Sequence, residues 1–208
     1  MRNLKTQARA ALLPILAAVF LCSCSDAPKS ETKAPEKPPE PITGRHAFQM
    51  MYPQARGWAA DAQPLQLRSI NLGQVKSDKG KAGAWEATFI SPSKAQSKTY
   101  TYSAVEADGN LHEGVFGNTA EEYRGGGASF PFLLAAIKTD SDQAYDTAAE
   151  KSADYIAKHP NMPVVFVLEQ TRRYPDLTWR VVWGDSVGSS DYSVFVDAST
   201  GKLLAISH

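Results

Sequence analysis

Apolar side chains recur every three to four residues in "DSDQAYDTAAEKSADYIAKHP". Ala144, Tyr145, Ala148, Ser152, Tyr155 and Ile156 fall on one side, and Asp146, Glu150, Lys151 and Asp154 lie mostly on the other. The spacing predicts one amphipathic helix, opened by acids that complement its N-terminus and stopped at Pro160. Beyond it, "PVVFVLEQTRR", "TWRVVWG" and "DYSVFVDA" are rich in β-branched and aromatic residues, with "YPD" and "GDSVGSSD" as breaks, and they read as strands. A short run, "KLLAIS", adds a last one. The links leave no room for crossover helices, so the strands are expected to pair antiparallel.

The first half of the chain repeats this order. "HAFQMMYPQARGWAADA" matches "QAYDTAAEKSADYIAKH" at Ala47 with Ala144, Phe48 with Tyr145, Met51 with Ala148, Trp58 with Tyr155 and Ala59 with Ile156. Pro53 departs from the pattern and predicts a helix that is kinked or begins there. "PLQLRSINL" then matches "PVVFVLEQ", "AWEATFI" matches "TWRVVWG", and "YSAVEADGNL" matches "YSVFVDASTGKL". These matches put Trp85 level with Trp179 and Glu106 level with Asp197. The expected fold is α+β: two repeated modules, residues 44–117 and 139–208, each one helix packed on a three- to four-stranded antiparallel sheet. Between them, residues 118–138 hold the triple glycine Gly125 to Gly127, too costly in chain entropy for a helix or strand interior. The apolar "SFPFLLAAI" that follows is expected to pack where the modules meet.

The N-terminal end changes the picture of where the chain resides. Arg2, Lys5 and Arg9 precede an apolar run from Ala10 to Cys22, which reads as a secretory leader and is too short to span a bilayer as a helix. The run closes in Leu21-Cys22-Ser23-Cys24, which resembles the bacterial lipoprotein box, with Cys24 as the modified residue. That resemblance implies cleavage after residue 23, acylation of Cys24 and a membrane anchor on the extracytoplasmic side of the cell envelope, inner or outer membrane left open. No thiol would remain for a bridge, a metal or a nucleophile. Residues 24–43 carry five prolines and seven charges after the cysteine, the composition of a tether. Loss of the leader leaves 22 acids against 19 bases, a balance that gives no reason to expect nucleic acid as a partner.

From Thr139 to Ile206 the chain resembles a PepSY domain, on "QAYDTAAEKSA", "TWRVVW" and the closing "YSVFVDASTGKLLAI", where Asp197, Gly201, Leu203 and Leu204 supply the family's strand-turn-strand. The first half matches less well. The resemblance implies a non-catalytic binding or regulatory role, such as holding or inhibiting an extracytoplasmic peptidase or another envelope protein.

Candidate chemistry is sparse. Asp197 can accept backbone N–H groups from the residues after it and Gly201 can take a positive φ, so "VFVDASTGKLLAI" reads as a structural turn. Asp108-Gly109 reads as a second. His46, His112, His159 and His208 lack metal-site spacing, and no cofactor is expected. His112-Glu113 could form half of an acid-base pair, and Glu121-Glu122 point apart and make a poor glycosidase pair. Trp179 with Trp183, and Tyr100 with Tyr102, alternate onto one strand face each. They are either core or, if solvent-facing, a binding surface for peptide or glycan. Two alternatives to the PepSY role remain open at this point: a small-ligand or glycan site in a groove between the modules, and an envelope hydrolase drawing acids from both.

Overall fold

The computed structural model describes residues 38–190 and 192–208. The leader and the lipid-attachment residue Cys24 lie outside the described residues, as does most of the tether. The first half runs β1 (Ile42–Thr43), α1 (Gly44–Trp58), β2 (Gln63–Ile70), β3 (Lys81–Ala82), β4 (Ala84–Ser91), β5 (Gln96–Ser103) and β6 (Gly114–Gly117). A connector follows with β7 (Glu121–Glu122), β8 (Ser129–Phe130) and a 3₁₀ turn over Leu134–Ala136. The second half is α2 (Ser141–Lys151), α3 (Ala153–Lys158), β9 (Val164–Thr171), β10 (Thr178–Trp183), β11 (Tyr192–Asp197) and β12 (Leu203–Ser207).

The molecule is α+β, as the alternation of periods predicts, but the halves do not keep separate sheets. Their first strands pair with each other: Gln66 lies opposite Glu169, Leu67 opposite Leu168 and Arg68 opposite Val167, antiparallel. One sheet results, with the main path β12-β11-β10-β9-β2-β4-β5-β6, so each half lays its strands outward from the seam in chain order. The seam removes the two edges that isolated modules would expose. The connector crosses it: β8 pairs with Gln170 and Thr171 of β9, the Phe132 amide donates to the Pro64 carbonyl, and the Phe132 ring is buried 6.3 Å from Phe48. "SFPFLLAAI" therefore packs across the join.

Both helices cover the same face. Phe48 of α1 packs on Phe89 at 5.5 Å and Tyr145 of α2 on Phe166 at 6.3 Å, within one buried cluster that includes Ala47, Met51, Ala144 and Ala148. Trp85 and Trp179 meet edge to face at 6.4 Å in the middle of that layer. Each indole is anchored in the same way. Trp85 Nε1 donates to the Ile42 carbonyl and Trp179 Nε1 to the Thr139 carbonyl, both at 2.9 Å, and each carbonyl lies one residue before a helix N-cap, Thr43 or Asp140. Gly44 sits against both rings: a Cβ there would come within 2.7 Å of Trp179 and 3.0 Å of Trp85.

The two helices meet at their N-termini, an arrangement that juxtaposes two positive dipole ends. Asp140 lies between them. Its Oδ1 accepts from Ser141 N at 2.7 Å within its own capping box and from Arg45 N of α1 at 2.9 Å, while Ser141 Oγ accepts from Gly44 N at 2.8 Å. The Arg45 guanidinium closes on the same carboxylate at 3.6 Å.

Several expectations need correcting. α1 is continuous from Gly44 through Pro53, so it does not begin at the proline; Pro53 is on the exposed side, where the backbone acceptor it leaves free can meet water. The second helix is broken at buried Ser152, whose Oγ accepts from Tyr192 Oη at 3.0 Å. Ile42 and Thr43 belong to the folded unit and not to the tether, since β1 pairs with β3. The hairpin match is also out of register. Trp85 faces Tyr102 but Trp179 faces Val196, so the counterpart of Asp197 is Ser103 and not Glu106. Shared "YS" dipeptides produced the slip, because identical letters outweigh a four-residue register difference that only cross-strand pairing reveals.

Asp61, in the turn after α1, accepts from Ser91 Oγ and from Ser93 N, both at 2.7 Å, and these donors hold its carboxyl down at about 2. A folded value below the ordinary carboxylate range makes its contribution fully present above about pH 4. It is lost as pH falls toward 2. The stability gap between wild type and Asp61→Asn, followed by thermal unfolding, should therefore narrow steadily from pH 4 to pH 2; a gap independent of pH would contradict these bonds.

Candidate functional site

Helices cover one face of the sheet, and the other carries a lateral row of opposed side chains: Phe116, Thr101, Glu86, Arg68, Val167, Arg180 and Phe195. The middle of that row floors a cleft of about 870 Å³. Its floor crosses the seam, because Arg68 belongs to the first half and Val167 to the second. One wall is the β5–β6 loop at Asp108–Leu111, the other the β10–β11 loop at Asp185–Gly188.

The walls are built locally. In the first, Ala107 N donates to the Leu111 carbonyl, and Gly109 at φ +81° with Asn110 at φ +62° make the reversal. The left-handed residues are thus Gly109 and Asn110, with Asp108 preceding them. Leu111 is buried and pins the loop down. In the second, Gly184 N donates to the Pro163 carbonyl and Ser189 N to Ser186 Oγ, closing a compact turn.

On the floor, Arg68 Nε and Glu86 Oε1 are 2.7 Å apart. Beside Glu86, Thr101 is only 4% exposed, and among the described residues its Oγ1 has no hydrogen-bond partner. A buried hydroxyl left without a partner costs on the order of 1–3 kcal/mol, so its presence in the lining of an open cleft calls for a ligand or bound water. The remaining lining charges, Asp108 and Asp185, stand on opposite walls, exposed and without a partner among the described residues. Ile70, Leu111, Val165, Val167 and Val187 add aliphatic surface.

The aromatic stripes lie on the helix-covered face. Trp179, Trp183 and Tyr100 are buried and Tyr102 is half-buried, so they fill the core and do not form a docking surface. Burial pushes the phenols of Tyr100 and Tyr102 up from their ordinary value, Glu113 adding to the effect at Tyr102. Facing polarity decided this: the tyrosines sit cross-strand from Ala87 and Trp85, and no local pattern announces which face a helix will cover.

At the C-terminal turn, Asp197 Oδ1 accepts from Ser199 N at 2.8 Å and Thr200 N at 2.7 Å, and Gly201, at φ +70°, donates to the Asp197 carbonyl. Gly201→Val should lower stability by about 1–2 kcal/mol, since a Cβ there is strained and would lie 3.3 Å from Thr139 Oγ1. An unchanged thermal midpoint would contradict that geometry. His112 pairs with Glu106 at 2.7 Å, not with Glu113, whose amide and the imidazole together hold the Glu106 carboxyl below its usual range. Glu122 is engaged by Arg124 at 2.9 Å. Among the described residues no group of three His, Cys, Asp or Glu side chains is placed to hold a metal, and no helix is long and apolar enough to cross a membrane. Sequence reasoning missed Thr101, Arg68 and Asp185; "GDSVGSSD" and "EADGN" marked the loops but not that they face one another.

No family model matches the chain, and no curated protein matches it. Among solved structures, the crystal structure of an inferred lipoprotein from Clostridium difficile 630 superposes with a TM-score of 0.50 at 13% identity, over 83% of this chain and 95% of that one. At that identity the likeness shows a shared fold.

Proposed function

We propose that this protein is a non-catalytic binding lipoprotein of the cell envelope, held at the membrane through Cys24, whose ligand occupies the open-face cleft. The observation that carries the reading is the buried, unpartnered Thr101 hydroxyl in the lining of a cleft walled by loops from both halves. Support for the anchor comes from the Leu21-Cys22-Ser23-Cys24 box and from the fold shared with an inferred lipoprotein. Descent of both halves from one PepSY-like unit is part of the proposal, supported by the matching indole anchors at Ile42 and Thr139. The non-catalytic character is supported by the cleft's hydroxyls. Ser186 Oγ bonds Ser189 Oγ and Thr101 is unbonded, so neither is held by a carboxylate base. No observation on the described residues favours a peptidase-holding role or a hydrolase over this reading.

Native mass spectrometry of the intact lipidated protein, released from detergent after incubation with low-mass envelope extract, tests it. Wild type should gain a discrete mass. Thr101→Phe, which fills the floor, and Val187→Trp, which narrows the mouth from an exposed loop position, should not. Absence of any added mass, or equal addition to both folded variants, would overturn the proposal.

A further inference from the structure

The cleft's charges are unevenly satisfied. Of the four charged residues lining it, Arg68 and Glu86 neutralise one another at 2.7 Å, which leaves Asp108 and Asp185 on facing walls with no cation between them among the described residues. Two unpaired carboxylates bordering one concave site raise the local concentration of cations. Between the carboxylates the lining is aliphatic, with Val165, Val167 and Val187 as its plainest members, and it offers no aromatic platform on which a sugar ring could stack. A ligand matched to both features has positive ends and an apolar spacer. The Thr101 hydroxyl, 4% exposed and unpartnered, supplies an acceptor for an N–H at the floor.

Resting on the cleft reading above, we infer that the ligand is an aliphatic polycation carrying ammonium groups on methylene chains, with Asp108 and Asp185 binding its ends and Thr101 accepting an N–H between them. Such chemistry occurs in free polyamines and in short lysine-bearing peptides. Methylene stems lie well on a valine floor while the charged heads stay hydrated near the walls. The carboxylates are exposed, so the attraction is screened by salt over about 8–10 Å and affinity falls as ionic strength rises.

Calorimetric titration of the intact lipidated protein in a neutral detergent, with spermidine, trilysine and triglutamate as probes, decides the matter. Trilysine, spermidine or both should bind, and the stronger of the two identifies the source; triglutamate should not. The Asp108→Asn, Asp185→Asn double variant should weaken the cation at least tenfold. Thr101→Val keeps the side-chain shape and removes the orphan hydroxyl, so the ligand-free thermal midpoint should stay level or rise while the cation binds several-fold more weakly. A role confined to packing would leave binding untouched, and that result would overturn the inference, as would equal affinity in the Asn double variant. Triglutamate binding that disappears in Arg68→Ala would overturn the ligand class while leaving the cleft standing. If no probe binds, the class falls, and the mass-spectrometric result decides the cleft reading separately.

Discussion

Trp179→Ala should destabilise the protein by about 4 kcal/mol, read as a shift of the denaturant midpoint at unchanged slope. The indole is fully buried, fills the space over Gly44, and satisfies the Thr139 carbonyl through Nε1. Truncation removes apolar surface, leaves a cavity the sheet cannot close, and orphans a carbonyl beside the N-cap of α2. Trp179→Phe separates these contributions, because it keeps most of the ring and loses only the hydrogen bond; about 1–2 kcal/mol is expected. Trp85→Ala should cost a similar amount. The double variant should cost less than the sum, since each ring packs on the other. Additive losses would show that the two halves keep independent cores.

Asp140→Ala is expected to cost about 3 kcal/mol, more than a single cap ordinarily contributes, because one carboxylate serves two helices. Its removal takes an acceptor from Ser141 N and from Arg45 N and leaves two positive helix ends facing across a buried gap. Asp140→Asn retains an acceptor and should recover part of the loss. The comparison also isolates the charge: if Asn were as stable as Asp at low ionic strength, the dipoles would not be what the carboxylate answers. Unfolding of Asp140→Ala at the wild-type denaturant midpoint would contradict the shared cap outright.

Much of the architecture could be read from local pattern. The change from helical to alternating period located α1, α2 and most strands, and the turn chemistry of "DASTGK" was written in Asp197 and Gly201. Local pattern stops where partners are remote. Nothing in "PLQLRSI" or "VVFVLEQ" says that these strands pair with each other, because an edge strand and an inner strand bury similar residues. The covered face was equally hidden: Tyr100 and Tyr102 look like a solvent stripe until α1 is laid over them. Ser152 reads as one more small residue on the apolar face, yet it breaks the helix and takes the Tyr192 hydroxyl. The cleft was the least legible part. Thr101 gains its meaning from what is not near it, and Asp108 and Asp185, 77 positions apart in the chain, come together only through the seam.

That seam is the premise of the whole account, since the cleft floor lies on it at Arg68 and Val167. Native-state hydrogen exchange at Leu67 and Leu168, opposed at its centre, tests it most directly. If the halves form one body, both amides should exchange only through global unfolding, with an opening free energy equal to that from denaturant melts. Exchange of both at a clearly lower opening energy, with the strands inside each half still protected, would mean that the halves part on their own and that the cleft they wall is not a standing feature of the protein.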